Sequence, residues 1–313
     1  MADKIATREA YGDALVELAE KYDYVVLDAD LAEATKTIKF KKAYPDRFFD
    51  CGIAEGNMIS VAAGLAAAGK MAFASSFAMF AAGRAFEQVR NSVGYPHLNV
   101  KIGATHAGIT VGEDGATHQC LEDIALMRSI PGMIVINPAD DVEAKAAIEA
   151  ALNVNGPVYL RFGRMAVPVV NDAATYKFEL GKGVCLKEGN DVTIIATGLM
   201  VDMANNAAKA LEDEGINARV INIHTIKPLD TDIIIKAAKE TGAIVVAEEH
   251  NIIGGLGSAV AETVCEGFPV PVLRIGTNDV FGRSGKVPPL LEMYGLTAEN
   301  IAAKAELAIN LKK

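Results

Sequence analysis

Apolar residues along the chain fall into short solid runs separated by stretches of helical spacing, and this alternation repeats from one end to the other. Residues 8–22 alternate apolar and polar positions with the period of an amphipathic helix. Residues 24–28, YVVLD, follow as the unbroken run expected of a buried strand. The same reading predicts strands at 48–53, 71–76, 100–104, 132–138 and 157–161. Between them it predicts helices at 58–69, at 84–93, from 117 onward, and at 140–152. Residues 163–179 lose periodicity and contain Pro168, Asn171 and Asp172, the composition of a connection. From Gly181 a second alternation begins, with strands at 192–196, 218–223, 243–247 and 271–275, each followed by a helical stretch. Strands that alternate with helices imply parallel sheets. The expected fold is therefore α/β, with two domains, each a mostly parallel sheet flanked by helices. The expected boundaries are 1–165, a linker at 166–180, and 181–313.

A length of 313 residues fits about two domains. With 51% hydrophobic and 22% charged residues the chain can bury sizeable cores. The net charge of −10 argues against nucleic acid or an anionic membrane as a partner. Cys51, Cys120, Cys185 and Cys265 form no CxxC pair, which suits a reducing cytosol and gives neither a disulfide framework nor a zinc site. The first 22 residues lack the hydrophobic region of a signal peptide. Lys70 divides the Ala- and Met-rich stretch at 60–83 into runs shorter than the roughly 18 apolar residues of a membrane span. The expectation is a soluble, cytoplasmic protein.

The chemistry concentrates in residues 103–122, GATHAGITVGEDGATHQCLE. His106 and His118 stand there with Glu113 and Asp114 between them, in a run held open by Gly103, Gly108, Gly112 and Gly115. The preceding strand puts this loop at a carboxyl end, where open α/β sheets bind ligands. Other strand ends add candidates. Asp28 and Asp30 close the first strand, and Asp30 reads equally as a helix cap or as a ligand. Glu55 is the one acid at the start of an Ala/Gly-rich helix, where it could simply complement the helix dipole. Such a helix has no long side chains to cover its flanks, so it suits close packing against another subunit. Phe77 and Phe80 follow the next strand at a spacing that faces one side of a helical turn, as core or as a platform for a flat ring. Arg161 ends the last strand of the first half. The run GGLGSA at 254–259 is similar to a dinucleotide fingerprint but lacks the acid about 20 positions later, and it reads as the start of a helix. His224 and His250 have no supporting ligand spacing, so no metal is assigned to this chain.

The run THAGITVGEDGATHQ resembles the pyrimidine-binding domain of the transketolases, whose loop reads TH-x-x-I-x-x-GEDG-x-THQ. GIAEGNM, SSFAMF, NIHTIKPLD and AEEHNIIGGLGSAVAE extend the resemblance over nearly the whole chain. It implies a thiamine diphosphate enzyme that transfers a two-carbon ketol unit from a ketose to an aldose. In that reading Glu55 activates the cofactor at N1′ of its aminopyrimidine, Phe77 and Phe80 hold the ring, and Asp30 joins the cofactor-binding set. His106 and His118 bind substrate hydroxyls and shuttle protons, and Asp114 orients a hydroxyl. Arg161 and Arg8 grip an acceptor phosphate. Two positions depart from the family: Ala34 stands where a phosphate-binding serine is usual, and Gly83 where a further aromatic is usual. No GDG occurs in the sequence. The resemblance therefore implies a partner chain, the amino-terminal transketolase subunit, which holds the diphosphate with Mg²⁺ or Ca²⁺. The two chains would form an α2β2 assembly, with contacts between copies of this one. Two rivals stay open: an E1 β-type or deoxyxylulose-phosphate-synthase-like subunit acting on 2-oxo acids, and a non-catalytic nucleotide-binding α/β protein.

Overall fold

The computed structural model describes residues 4–312. Its strands, in chain order, are β1 Lys4–Ala6, β2 Tyr24–Asp28, β3 Phe48–Asp50, β4 Met71–Phe77, β5 Val100–Thr105, β6 Ile134–Ile136 and β7 Val158–Arg161. There follow β8 Ala166–Pro168, β9 Val184–Lys187, β10 Val192–Ala196, β11 Ala218–Asn222, β12 Thr225–Lys227, β13 Ile244–Asn251 and β14 Val272–Thr277. The first half builds a seven-stranded sheet in the order β12-β6-β7-β5-β4-β2-β3. All its pairings are parallel except β12 with β6. Every residue of β2, β5 and β7 is buried, because a central parallel strand is covered on both faces. The second half builds a five-stranded sheet, β14-β13-β10-β11-β9, antiparallel only at β9. The α/β architecture with two mostly parallel sheets is the one the hydrophobic pattern predicts.

The two halves are stitched together more closely than the pattern suggests. β12 comes from the second half yet completes the first sheet, with Thr225 opposite Ile136 and Lys227 opposite Val135. Lys227 Nζ then donates to the carbonyls of Arg128 and Ile130 at 2.8 and 2.6 Å. One apolar cluster runs through both sheets, from Ile102, Val135 and Tyr159 to Ile195, Ile221 and Ile244. The segment read as a connection is also ordered, since β8 pairs with β1. Asp140 caps the helix Asp141–Leu152 by accepting the Glu143 N–H at 2.8 Å. Its other oxygen accepts the N–H groups of Val170 and Asn171, both at 2.8 Å. The Glu143 carboxylate accepts from Tyr176 Oη at 2.5 Å and from Asn222 Nδ2 at 2.8 Å, so one buried acid joins both halves and the connection.

Two helix expectations need correction. Residues 84–93 are not one helix: wide π-type turns at Met79–Arg84 and Val89–Gly94 flank a short α turn, Phe86–Gln88. Residues 117–119 stay in turns, and the helix starts only at Asp123–Arg128. There the Gly108 N–H donates to the Cys120 carbonyl at 2.9 Å, and Gln119 Nε2 donates to the Ile109 and Arg283 carbonyls at 3.0 Å each. Those bonds hold the segment open against helical closure. Among the described residues no helix is long and apolar enough to cross a membrane.

Candidate active site

The carboxyl ends of β2, β3, β4, β5 and β7 lie side by side at one edge of the first sheet, and the candidates converge there. Phe77 is the last residue of β4, and Phe80 follows in the π-type turn. Their rings stack with centroids 5.7 Å apart. His106, directly after β5, lies flat on Phe77 at 3.8 Å, and His118 meets Phe80 edge-on at 5.3 Å. Phe77 is thus covered, and Phe80 is half-buried, with the Arg84 guanidinium carbon 4.5 Å from its ring centre. A cavity of about 380 Å³ opens beside it, lined by Asp30, Leu31, Ile53, Glu55, Phe80, Arg84 and His118 among others. Glu55 begins the helix Glu55–Ala67 and is 2% exposed. Asp30 is exposed on this cavity's rim in the left-handed region, φ 61°. Asp28 beneath it is buried and accepts from the Leu31 N–H and the hydroxyls of Thr35 and Thr37, which shapes the loop carrying Ala34. Burial raises the Asp28 carboxyl to about 6, offset in part by those donors.

His106 is held in one protonation state. Arg8 Nη1 lies 3.0 Å from its Nε2 and also donates to the Ala34 carbonyl at 2.9 Å. A guanidinium can only donate, so Nε2 accepts, and the ring proton sits on Nδ1, 2.9 Å from Thr105 Oγ1. Burial first, then the nearby cations Arg8 and Arg164, push the His106 imidazole down to about 3. The Arg8 contact and the burial both favour the neutral ring at His106, whereas His118 is partly exposed. Asp114 and Glu113 are exposed on the turn Ile109–Asp114.

The position expected of Arg161 is corrected by its burial. Arg161 is 3% exposed; its Nε donates to Asp123 at 2.8 Å and its Nη2 to the Glu249 carbonyl at 2.9 Å. The arginine that reaches the site stands three residues on. Arg164 is half-buried, contacts the Val111 carbonyl, pairs with Glu113 at 3.6 Å, and lies close enough to depress His106. Sequence reasoning missed it because β7 points its last residue inward, and only the chain beyond the strand emerges. It also missed Arg84, whose Nη1 sits 3.0 Å from both oxygens of Glu55.

The second half grips the histidine loop. Glu249 Oε1 accepts the Thr110 N–H at 2.7 Å, and a Cβ at Gly108 would lie 2.1 Å from the Glu249 carboxyl carbon. Ser284 Oγ donates to the Glu113 carbonyl at 2.6 Å. The GGLGSA run starts the helix Leu256–Gly267, as expected. Its first N–H groups are already taken: Glu248 accepts from Leu256 at 2.7 Å and from Gly257 at 2.8 Å. An acid built into that end competes with a dinucleotide phosphate for those donors and repels its charge. Among the described residues no group of three or more His, Cys, Asp or Glu side chains could hold a metal.

Comparison with known proteins agrees with this layout. The family model for the transketolase pyrimidine-binding domain matches residues 3–170, and that for the transketolase C-terminal domain matches residues 181–301. A Methanocaldococcus jannaschii protein described as a transketolase C-terminal section is 53% identical, over 95% of this chain and 94% of its own. The 6-deoxy-6-sulfo-D-fructose transketolase subunit of Clostridium sp. (strain MSTE9) is 47% identical, over 95% of this chain and 92% of its own. Among solved structures, a split gene transketolase described as an inactive β4 tetramer superposes with a TM-score of 0.91 and 54% identity. That match covers 99% of this chain and 100% of the other. Two family models spanning most of the sequence, and relatives of matching length, make this chain a member of the transketolase family.

Proposed function

We propose that the chain is one subunit of a thiamine-diphosphate-dependent transketolase, moving a two-carbon ketol unit from a ketose to an aldose. The observation that carries this reading is the Glu55 carboxylate, buried against a cavity that it shares with the Phe80 ring. One buried acid beside one aromatic ring suits a flat, protonatable aminopyrimidine, so the residues fit the cofactor's ring. When bound, thiamine diphosphate would supply an acidic carbon that serves as a nucleophile toward a carbonyl.

The chain's own residues divide the remaining work. Glu55 holds a proton at the ring nitrogen N1′, and Phe77 backs Phe80 as the platform, with Asp30 at the rim. His118, partly exposed beside the cavity, exchanges protons with substrate hydroxyls, and Asp114 orients a hydroxyl beside the bond that breaks. His106, neutral, accepts from Arg8 and keeps that guanidinium aimed. Arg8 and Arg164 together form the anion grip that binds the charged end of the sugar. The similar subunits named for 6-deoxy-6-sulfo-D-fructose and apulose-4-phosphate act on sugars with such an end. A second chain bearing GDG would hold the diphosphate and Mg²⁺ in an α2β2 assembly within the cytoplasm. The description of the similar β4 tetramer as inactive supports a need for such a partner.

The test is to assay ketol transfer with thiamine diphosphate and Mg²⁺, with this chain alone, with the GDG-bearing partner alone, and with both. Activity should appear only on mixing, near a one-to-one ratio. It should fall by about 10²–10⁴-fold in Glu55→Gln, the usual worth of an acid–base group. Turnover by the isolated chain, or an unimpaired Glu55→Gln, would refute the reading.

A further inference from the structure

Glu55 is nearly sealed from solvent, and a buried carboxylate left alone is costly. Among the described residues its one hydrogen-bonding side chain is Arg84. That arginine is anchored only at one end. Its side chain is 55% exposed, and its guanidinium carbon lies 4.5 Å from the centre of the Phe80 ring. The π-type turn Met79–Arg84 brings the two together, because its extra residue turns Arg84 back over Phe80.

The guanidinium is thus a flat cation that makes two contacts, one with the face of Phe80 and one with the Glu55 carboxylate. These are the same two contacts that a protonated aminopyrimidine would need. Both groups cannot hold the same carboxylate oxygens and the same ring at once. We propose that Arg84 is a built-in stand-in for the cofactor ring: it keeps Glu55 paired before the cofactor arrives, and must swing out for the ring to bind. Its exposure allows that swing without disturbing the core. The arginine is a positioning residue for Glu55 and competes with the ligand. The proposal rests on the thiamine diphosphate reading of the cavity.

The prediction is that removing the competitor tightens cofactor binding. A pair whose cation is half exposed contributes modestly, so affinity should rise roughly three- to ten-fold, about one charge-assisted hydrogen bond less solvent screening. Isothermal titration calorimetry of thiamine diphosphate with Mg²⁺ into the complex with the partner chain measures this. Wild type is compared with Arg84→Ala and with Arg84→Met, which keeps an apolar stem over Phe80 if the alanine variant fails to fold. Association rates should rise in parallel, since no side chain has to leave first. Tighter, faster binding in the variant that folds supports the stand-in. Unchanged or weaker binding overturns it and leaves the transketolase reading intact. If wild type and variants alike bind no thiamine diphosphate, the reading of the cavity itself fails.

Discussion

Two arginines three residues apart should fail in opposite ways. Arg161 and Asp123 are 3% and 0% exposed, 2.8 Å apart, with Tyr159 Oη donating to the same carboxylate oxygen at 2.8 Å. Burial alone would raise Asp123, but Arg161 and the nearby His250 outweigh it and hold the carboxyl below its usual range. Replacing Arg161 with Met keeps the volume but strands that acid, at a cost of about 3–5 kcal/mol. At about 2–4 °C per kcal/mol for domains of this size, the melting temperature should drop by roughly 10 °C. Because the folded pKa of Asp123 lies below its unfolded value, the pair's contribution is present above the unfolded pKa. It is lost as pH falls through the folded one. Wild type should therefore lose this advantage over Arg161→Met in strong acid and keep it at neutral pH. Arg164→Met, at a half-exposed position, should leave the melting temperature nearly unchanged. It should raise KM for an anionic acceptor roughly ten- to hundred-fold, the worth of a charge-assisted hydrogen bond, and leave KM for an uncharged acceptor alone. Thermal melts, together with kinetics on a phosphorylated and an unphosphorylated aldose, decide it. A thermally normal Arg161→Met that selectively loses the anionic acceptor would refute the assignment.

Two further outcomes follow from the buried titratable groups. His106, pushed down to about 3, should remain neutral with its proton on Nδ1, so its ring ¹⁵N shifts should stay constant from about pH 5 to 9; a titration near pH 6 would contradict the Arg8 contact. Glu249 is raised to about 7 by burial, against an ordinary value of 4.5, so the folded chain binds the extra proton between those values. Stability should decline as pH rises through that window, and Glu249→Gln, which still accepts the Thr110 N–H, should flatten the decline. Chemical denaturation at several pH values reads the slope, and an unchanged slope would count against it.

The hydrophobic pattern located the strands that matter, because central parallel strands are buried on both faces and read as solid runs; YVVLD and VTIIA coincide with β2 and β10. Edge elements such as β12 were illegible, since three residues carry no period and their partner is distant in sequence. At the site, the cluster of Glu55, Phe77, Phe80, His106 and His118 was legible from strand-end position and motif. Arg8, set against His106, belonged to that reading too, but Arg84 and Arg164 did not. Which of Arg161 and Arg164 points outward depends on how the chain leaves β7, and the Arg84 contact depends on a π-type turn that helical spacing does not announce.

None of the residues lining the cavity beside Glu55 lies beyond His118, so the second half touches no part of it directly. Its influence runs through the backbone of the histidine loop. Gly108, Gly112 and Gly115 all adopt positive φ, and glycine loses more conformational freedom on ordering than any other residue. The loop's buried N–H and C=O groups must still find partners. The second half supplies them: Glu249 for the Thr110 N–H, Ser284 for the Glu113 carbonyl, and the Asn251 N–H for the Leu121 carbonyl at 2.7 Å. Arg161, tied to Asp123 on one side and the Glu249 carbonyl on the other, fixes the distance between the two halves at that point. Without this scaffold the glycine-rich run has many conformations, and only a few of them set His106 on Phe77 and His118 against Phe80. The second half therefore acts on the site by selecting the loop's shape, not by contact with what the site binds.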